Sequence, residues 1–185
     1  MISADVTMGK PGRTKGMMRR ALSRLVRQGD GAAAVEFAIA GPLFMLLMFF
    51  LIENGLVLFL QAALDNATRD ASRLIRTGQV QLAGGSASPF TAQLCADLGN
   101  VVPCASLQYN VQSAGSFSQL SAAASVGASG NLQNPQFNPG TPGQVVIVQV
   151  AYNLTAFMPW FATYITGKTS SLLMSTTTFQ NEPYQ

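Results

Sequence analysis

The sequence predicts an α+β protein in which one long N-terminal helix, half transmembrane and half stem, leads into a small antiparallel sheet domain with a long Gly/Ser-rich loop. Three observations predict it. Residues 37–60 form an almost unbroken apolar run, residues at helical spacing continue it to about position 77, and past Gly78 short β-branched runs alternate with Gly-, Pro- and Ser-rich stretches. The chain of 185 residues is only 10% charged, well below the roughly 25% of an ordinary soluble domain, so part of it is expected to face something other than water.

Residues 1–31 carry no sustained apolar period and read as a basic cytoplasmic leader. Seven bases (Lys10, Arg13, Lys15, Arg19, Arg20, Arg24, Arg27) stand there against Asp5 and Asp30, a net +5, which leaves −2 for the rest of a chain whose total is +3. A basic cluster can be a nucleic-acid arm. Here the bases stop where the apolar run starts, the layout of a positive-inside membrane flank, and no nucleic-acid partner is expected.

From Phe37 to Ile52 no side chain is polar; Glu53 and Asn54 interrupt, and residues 55–60 resume the run. Residues 32–60 are therefore the expected single membrane span, the 24 positions from 37 to 60 being enough to cross about 30 Å of hydrocarbon. The flanking bases hold the N-terminus in the cytoplasm and send everything after Leu60 outside. A cleaved secretory signal is the competing reading, and Ala38, Ile39 and Ala40 have its small-x-small form. They precede the apolar run where a cleavage site must follow it, so the run is expected to stay in the mature protein.

Residues 61–78 continue as an amphipathic stem. Leu60, Leu64, Ala67, Ala71, Leu74 and Ile75 fall on one helical stripe, with Asp65 and Arg69, and Asp70 and Arg73, as solvent-side pairs. Apart from Gly41, Pro42 and Gly55, no helix breaker intervenes before Gly78, so residues 32–77 are predicted to form one helix of about 70 Å. The inward stripe is small, and two readings fit it: close packing against the protein's own domain, or a contact between subunits.

Residues 79–185 make the outer domain. "TAQLCADLG" at 91–99 is a short helix carrying Cys95, "LQYNVQS" at 107–113 alternates as a strand, "QVVIVQVAY" at 144–152 is a central strand apolar on both faces, and "SLLMSTTTFQ" at 171–180 is a more exposed strand. Residues 113–143 read as a long loop, with "QLSAAASVG" at 119–127 as a helical turn inside it. "FMPWFATYI" at 157–165 either covers the sheet with its aromatics or rests at the membrane surface, where Trp160 and Tyr164 suit the interface. Cys95 and Cys104, the only cysteines, lie on the outer side; a pair closing a short loop outside the cytoplasm is most simply a disulfide. A metal site would need further ligands, and the chain has no histidine, so neither a metal nor any other cofactor is expected.

Catalytic groups are scarce. Gly167, Lys168 and Thr169 mimic the end of a phosphate loop, but its partner glycine would be residue 162, which is alanine. The outer domain holds only Asp97 and Glu182 as carboxylates, and nothing around Lys168 defines a serine nucleophile for it to activate. A hydrolase built on Ser and Lys168 is the remote alternative to a binding or assembly protein.

Glu36 raises the sharpest question, since an ionised carboxylate beside an apolar run costs several kcal/mol unless it has a partner or a way to water. Counted from Ala32 it is the fifth residue, with Gly31 directly before the count. Here the sequence resembles the type IV pilin superfamily, and more closely the TadE-like family, minor pseudopilins of tight-adherence pili. The resemblance rests on Gly31 with "AAAVEFAIAGPLFMLL", on "FLIENGLVLFLQAALDNATRDASRLI", on the Cys95 and Cys104 pair, and on "FQNEPY" near the C-terminus. It implies a pilin-like fold and a non-enzymatic part in priming, capping or stabilising a pilus. Gly31 would precede a cut made by a prepilin peptidase, Ala32 would become the first residue, and Glu36 with Phe37 beside it would serve assembly. The partners implied are the peptidase, other pilin or pseudopilin subunits and an inner-membrane assembly platform. The location implied is the bacterial inner membrane, with the C-terminal domain periplasmic. The alternative is an uncut single-pass anchor with a scaffold domain outside. Glu53, 17 residues beyond Glu36 and about 25 Å along the helix, falls near the outer interface; it either snorkels to water or meets another subunit.

Overall fold

One helix, α1 (Asp30–Arg76), takes up 47 residues. It begins two residues before the expected start at 32 and ends one before the expected 77. In this computed structural model the described residues are 30–99, 101–120, 125–127 and 130–184. The leader ahead of residue 30 and positions 121–124 of the expected helical turn lie outside them. The chain divides into two compact units that meet in sequence at Leu51 and Ile52.

The first unit is described by the N-terminal part of α1. Its apolar side chains, Val35, Phe37, Ile39 and Leu43 among them, are exposed rather than gathered on one face. The most apolar 18-residue window has a mean hydropathy of 2.4 and is only 6% buried; the core helix of a soluble protein with this composition would be mostly covered. Apolarity without a stripe is the pattern of a helix whose surroundings are themselves apolar. Pro42 lies within α1, where it deletes one backbone N–H donor without ending the helix.

In the second unit the remainder of α1 is joined by α2 (Gln79–Leu82), α3 (Ser88–Leu98), β1 (Leu107–Ala114), β2 (Val145–Thr155), α4 (Pro159–Thr166) and β3 (Ser170–Gln180). The strands form an antiparallel sheet in the order β1-β2-β3. Val111 faces Val148, and Val150 faces Ser175. Because side chains alternate across a strand, Val146, Val148 and Val150 share one face with Val111 and Leu173. That face joins the buried stripe of α1 (Leu60, Leu64, Ala67, Ala71, Ile75) and Phe90, Leu94 and Leu98 of α3 in one core. Each fully buried Val, Leu or Phe contributes about 1.5–3 kcal/mol. The small residues of the stripe therefore serve close packing against the chain's own sheet, the first of the two readings open in the sequence.

The structure differs from the sequence reading at three places. The second face of β2 is not wholly apolar: Gln149 is fully buried there, and its Oε1 accepts from Asn110 Nδ2 at 3.1 Å. Nor is the long connection after β1 loose in its described parts. Val111 and Phe137 form a parallel bridge, and Asn131 Oδ1 accepts from both Gln108 and Asn153, at 2.8 and 2.9 Å. Third, Asp65 accepts from Gln61 rather than pairing with Arg69. The ion pair among the described residues is Arg76 with Glu182, at 3.2 Å. Exposed pairs at helical spacing are worth a few tenths of a kcal/mol, too little to hold two long side chains together.

Two ties complete the second unit. A disulfide joins Cys95 of α3 to Cys104 at the head of the short 3-10 turn before β1. The C-terminal segment clasps the end of α1. Glu182 N donates to Arg76 O at 2.9 Å, Asn181 Nδ2 donates to Pro139 O and Thr141 O, and Tyr184 Oη reaches Gly140 O at 3.4 Å. Gly78, at φ +81°, makes this possible: a Cβ there would run into the Tyr184 ring.

Candidate assembly site on the long helix

Gly31 and Ala32 lie in the first turn of α1, with Asp30 opening the helix. The bond after Gly31, where the pilin resemblance puts a cut, is thus helical here and not extended. Glu36 sits one turn beyond Ala32, on the same side of the helix, as residues four apart do. It is exposed, and among the described residues it has no hydrogen-bond or ion-pair partner. Phe37 is exposed beside it. Nothing in the described part of the first unit covers the Glu36 side chain.

Glu53 behaves differently. It is half-buried, and its Oε1 accepts from the backbone N–H of Phe157 at 3.2 Å. The contact is internal to the second unit and is one that the sequence readings, snorkelling to water and a contact with another subunit, did not include. It holds the start of the β2–β3 connection beside α1. Further along, Gln61 Nε2 donates to Met174 O of β3 at 3.1 Å, and Arg76 meets Glu182. These three tethers define a direction: the β2–β3 connection lies toward the Glu53 end of the stem, and the C-terminal clasp lies toward the Arg76 end.

The residues of the other chemistries do not converge. Lys168 is exposed, and its backbone, not its amine, meets Thr166. Lys168 and Ser170 line a cleft of about 400 Å³ with Asn153 and Thr163. No hydrogen bond joins the lysine amine to a serine hydroxyl among the described residues, and a Ser/Lys nucleophile needs one. The described residues also hold no group of three or more metal-ligating side chains.

The helix therefore carries the features that call for comparison. Residues 31–73 match the TadE-like protein family. The match begins at Gly31 and stops three residues short of the end of α1, so the TadE-like segment is this one helix, bare half and packed half together. The likeness is to a pilus-assembly family, and one apolar N-terminal helix fits membrane anchoring. No curated protein and no solved structure matches the chain significantly. The domain that follows the helix is thus described by its own structure alone.

Sequence reasoning missed the two ends of the tether. Glu53 stood out as an acid at the edge of the apolar run, but its partner is 104 residues away. The signal was the aromatic connection at 157–165, whose place opposite Glu53 follows only once the strand register is known. The clasp was missed in the same way, although "FQNEPY" was visible.

Proposed function

We propose that the chain is a minor pilin of a tight-adherence pilus. It is held in the bacterial inner membrane by the first half of α1, with the domain from residue 79 onward in the periplasm, and acts in priming, capping or stabilising the pilus rather than as an enzyme. The observation that carries this is the family match opening on Gly31, with an exposed acid five residues into the chain that a cut there would release. A prepilin peptidase acting after Gly31 frees the α-amine of Ala32. That amine is largely cationic near neutral pH. Withdrawn from water in a bundle of helices, the Ala32 ammonium of one subunit and the Glu36 carboxylate of the next neutralise each other, and the staggered pair sets axial register. Other pilin or pseudopilin subunits and a membrane assembly platform are the partners this requires.

One observation favours a second reading, an uncut anchor with a scaffold domain outside. Helix α1 runs unbroken through the Gly31–Ala32 bond, so cleavage has to unwind its first turn. Determining the N-terminus of the membrane-extracted protein separates the two: Ala32 supports the pilin, and an intact leader supports the anchor. The pilin reading further expects Gly31→Ala to abolish the cut. It also expects Glu36→Gln to leave membrane residence intact while pilus incorporation falls, and Glu36→Lys to fall further because two cations then meet. Pili of normal number built with Glu36→Lys protein would remove the charge-pairing mechanism.

A further inference from the structure

The connection between β2 and β3 turns three large aromatic side chains outward. Phe157 is 69% exposed, Trp160 68% and Tyr164 88%. Trp160 and Tyr164 stand four residues apart on α4 and so lie on one side of it, and Phe157 comes two residues before the helix begins. They do not cover the sheet, which is the first of the two roles the sequence left open for them. A soluble domain rarely leaves its largest aromatics in water as a group.

Their position says what covers them. The Glu53–Phe157 bond pins the connection to the helix turn where the uninterrupted apolar run ends. On the same stretch of α1, within the second unit, Leu56, Leu58 and Phe59 are also exposed. Exposed apolar residues on α1 and outward aromatics on α4 thus occur at one end of the domain, the end opposite the Arg76–Glu182 clasp. Chemistry points the same way. Trp160 is the only tryptophan, and Lys168, exposed two residues past α4, is the only base after Arg76. Trp, Tyr and Lys are the side chains that settle at the boundary of headgroups and acyl chains, where a ring can lie in hydrocarbon with its polar edge wet and an ammonium can reach phosphate.

We propose that α4 and its flanks are a second membrane contact, in which Phe157, Trp160 and Tyr164 enter the headgroup–acyl boundary of the outer leaflet and Lys168 meets lipid phosphate, so that the domain lies against the bilayer instead of standing off it. Glu53 is the tether that sets the depth of the connection. The proposal rests on α1 spanning the membrane, but not on cleavage, on Glu36 or on any pilus.

Because Trp160 is the sole tryptophan, its fluorescence reports this connection alone in the full-length chain. The protein is reconstituted at high lipid-to-protein ratio in vesicles of phosphatidylcholine and phosphatidylglycerol, with and without brominated acyl chains. The expected result is emission at shorter wavelength than for Trp in water, resistance to aqueous iodide, and stronger quenching by bromines near the headgroup end of the chain than by bromines at the bilayer centre. The double variant Phe157→Ser, Tyr164→Ser should lose most of the lipid quenching, gain iodide quenching, and stay in the vesicles through alkaline carbonate. Emission quenched by iodide and untouched by brominated lipid in carbonate-resistant protein overturns the proposal and leaves the span standing. Protection from both quenchers also overturns it, since the aromatics are then covered by protein. Wild-type protein stripped by carbonate overturns the span and this proposal together.

Discussion

Between residues 31 and 51 the apolar side chains of α1 are exposed, Phe37 at 75% and Ile39 at 67%, whereas between 60 and 75 Leu64, Ala67, Ala71 and Ile75 are all buried. The same helix, in one continuous hydrogen-bonded run, meets two different surroundings. In the first half apolar residues occupy every side, so no single partner surface can cover them and the fitting medium is lipid. In the second half they form a stripe that includes two buried alanines, and the chain supplies the cover itself. The two acids follow the same division. Glu36 has no partner among the described residues, and Glu53 is held by a backbone N–H of its own domain. The exposed acid is the one available for the assembly role proposed above, and the other already bonds within the fold.

The largest expected break in this comparison is removal of the disulfide. Closing the short loop from Cys95 to Cys104 is worth about 3 kcal/mol of chain entropy. The double variant Cys95→Ser, Cys104→Ser should destabilise the domain of the second unit by about that free energy and lower its melting temperature, while leaving membrane residence of α1 unchanged. A transition that does not move would show that α3 and β1 hold their places without the bridge.

Next is a paired substitution that sharpens the contrast between the halves. Ala71→Leu forces three heavy atoms into a fully buried position against the sheet, and overpacking of this kind costs about 2 kcal/mol. Ala40→Leu, on the exposed half, should leave domain melting where it was. Equal, small effects at both positions would mean that the stem is not tightly packed.

Much of this division was readable beforehand, and the reason is physical. A stripe at a period of 3.6 and a run without one are properties of residue type and spacing, so α1, its two halves and its buried positions Leu64, Ala67, Ala71 and Ile75 followed from the sequence. The three strands also fell where β-branched runs end in Gly and Pro. What did not follow were pairings across long sequence distance. That Gln149 is buried against Asn110 depends on the β1–β2 register, since a slip of one residue would send it to the other face. The parallel bridge from Phe137 to Val111, the Glu53 tether and the exposure of Trp160 likewise depend on where the connections return. Gly31 and Glu36 stand out in the sequence for another reason: their signal is position relative to the apolar run, which the helix preserves.

A smaller effect is expected where the stem hands over to the domain. Gly78 ends α1 in the left-handed region at φ +81°, with the Tyr184 ring packed where a Cβ would be. Gly78→Ala should cost about 1–2 kcal/mol from backbone strain and displace the C-terminal clasp as well. Faster proteolysis of the last residues, together with a lower melting transition, is the expected result. A variant with both unchanged would mean that Tyr184 does not hold the end of the helix.

The smallest effect concerns the same ring and appears only in base. Burial raises the Tyr184 hydroxyl above its ordinary value of 10.0, because the phenolate loses water in the clasp. A group whose pKa is higher folded than unfolded keeps more protons in the native state once the pH passes the unfolded value. Its contribution is therefore complete below about pH 10 and is lost as the pH rises from there through the folded value. The neighbouring charges, Arg76 and Glu182, are already paired with each other. Outer-domain stability should thus be unaffected by this group through the neutral range and decline above about pH 10, with Tyr184→Phe showing a shallower decline. Since every other group is the same in both proteins, the difference between the two curves isolates Tyr184. Parallel curves would show that the clasp does not exclude water from the phenol, which would make the Tyr184 ring a loose cover over Gly78 instead of a lock.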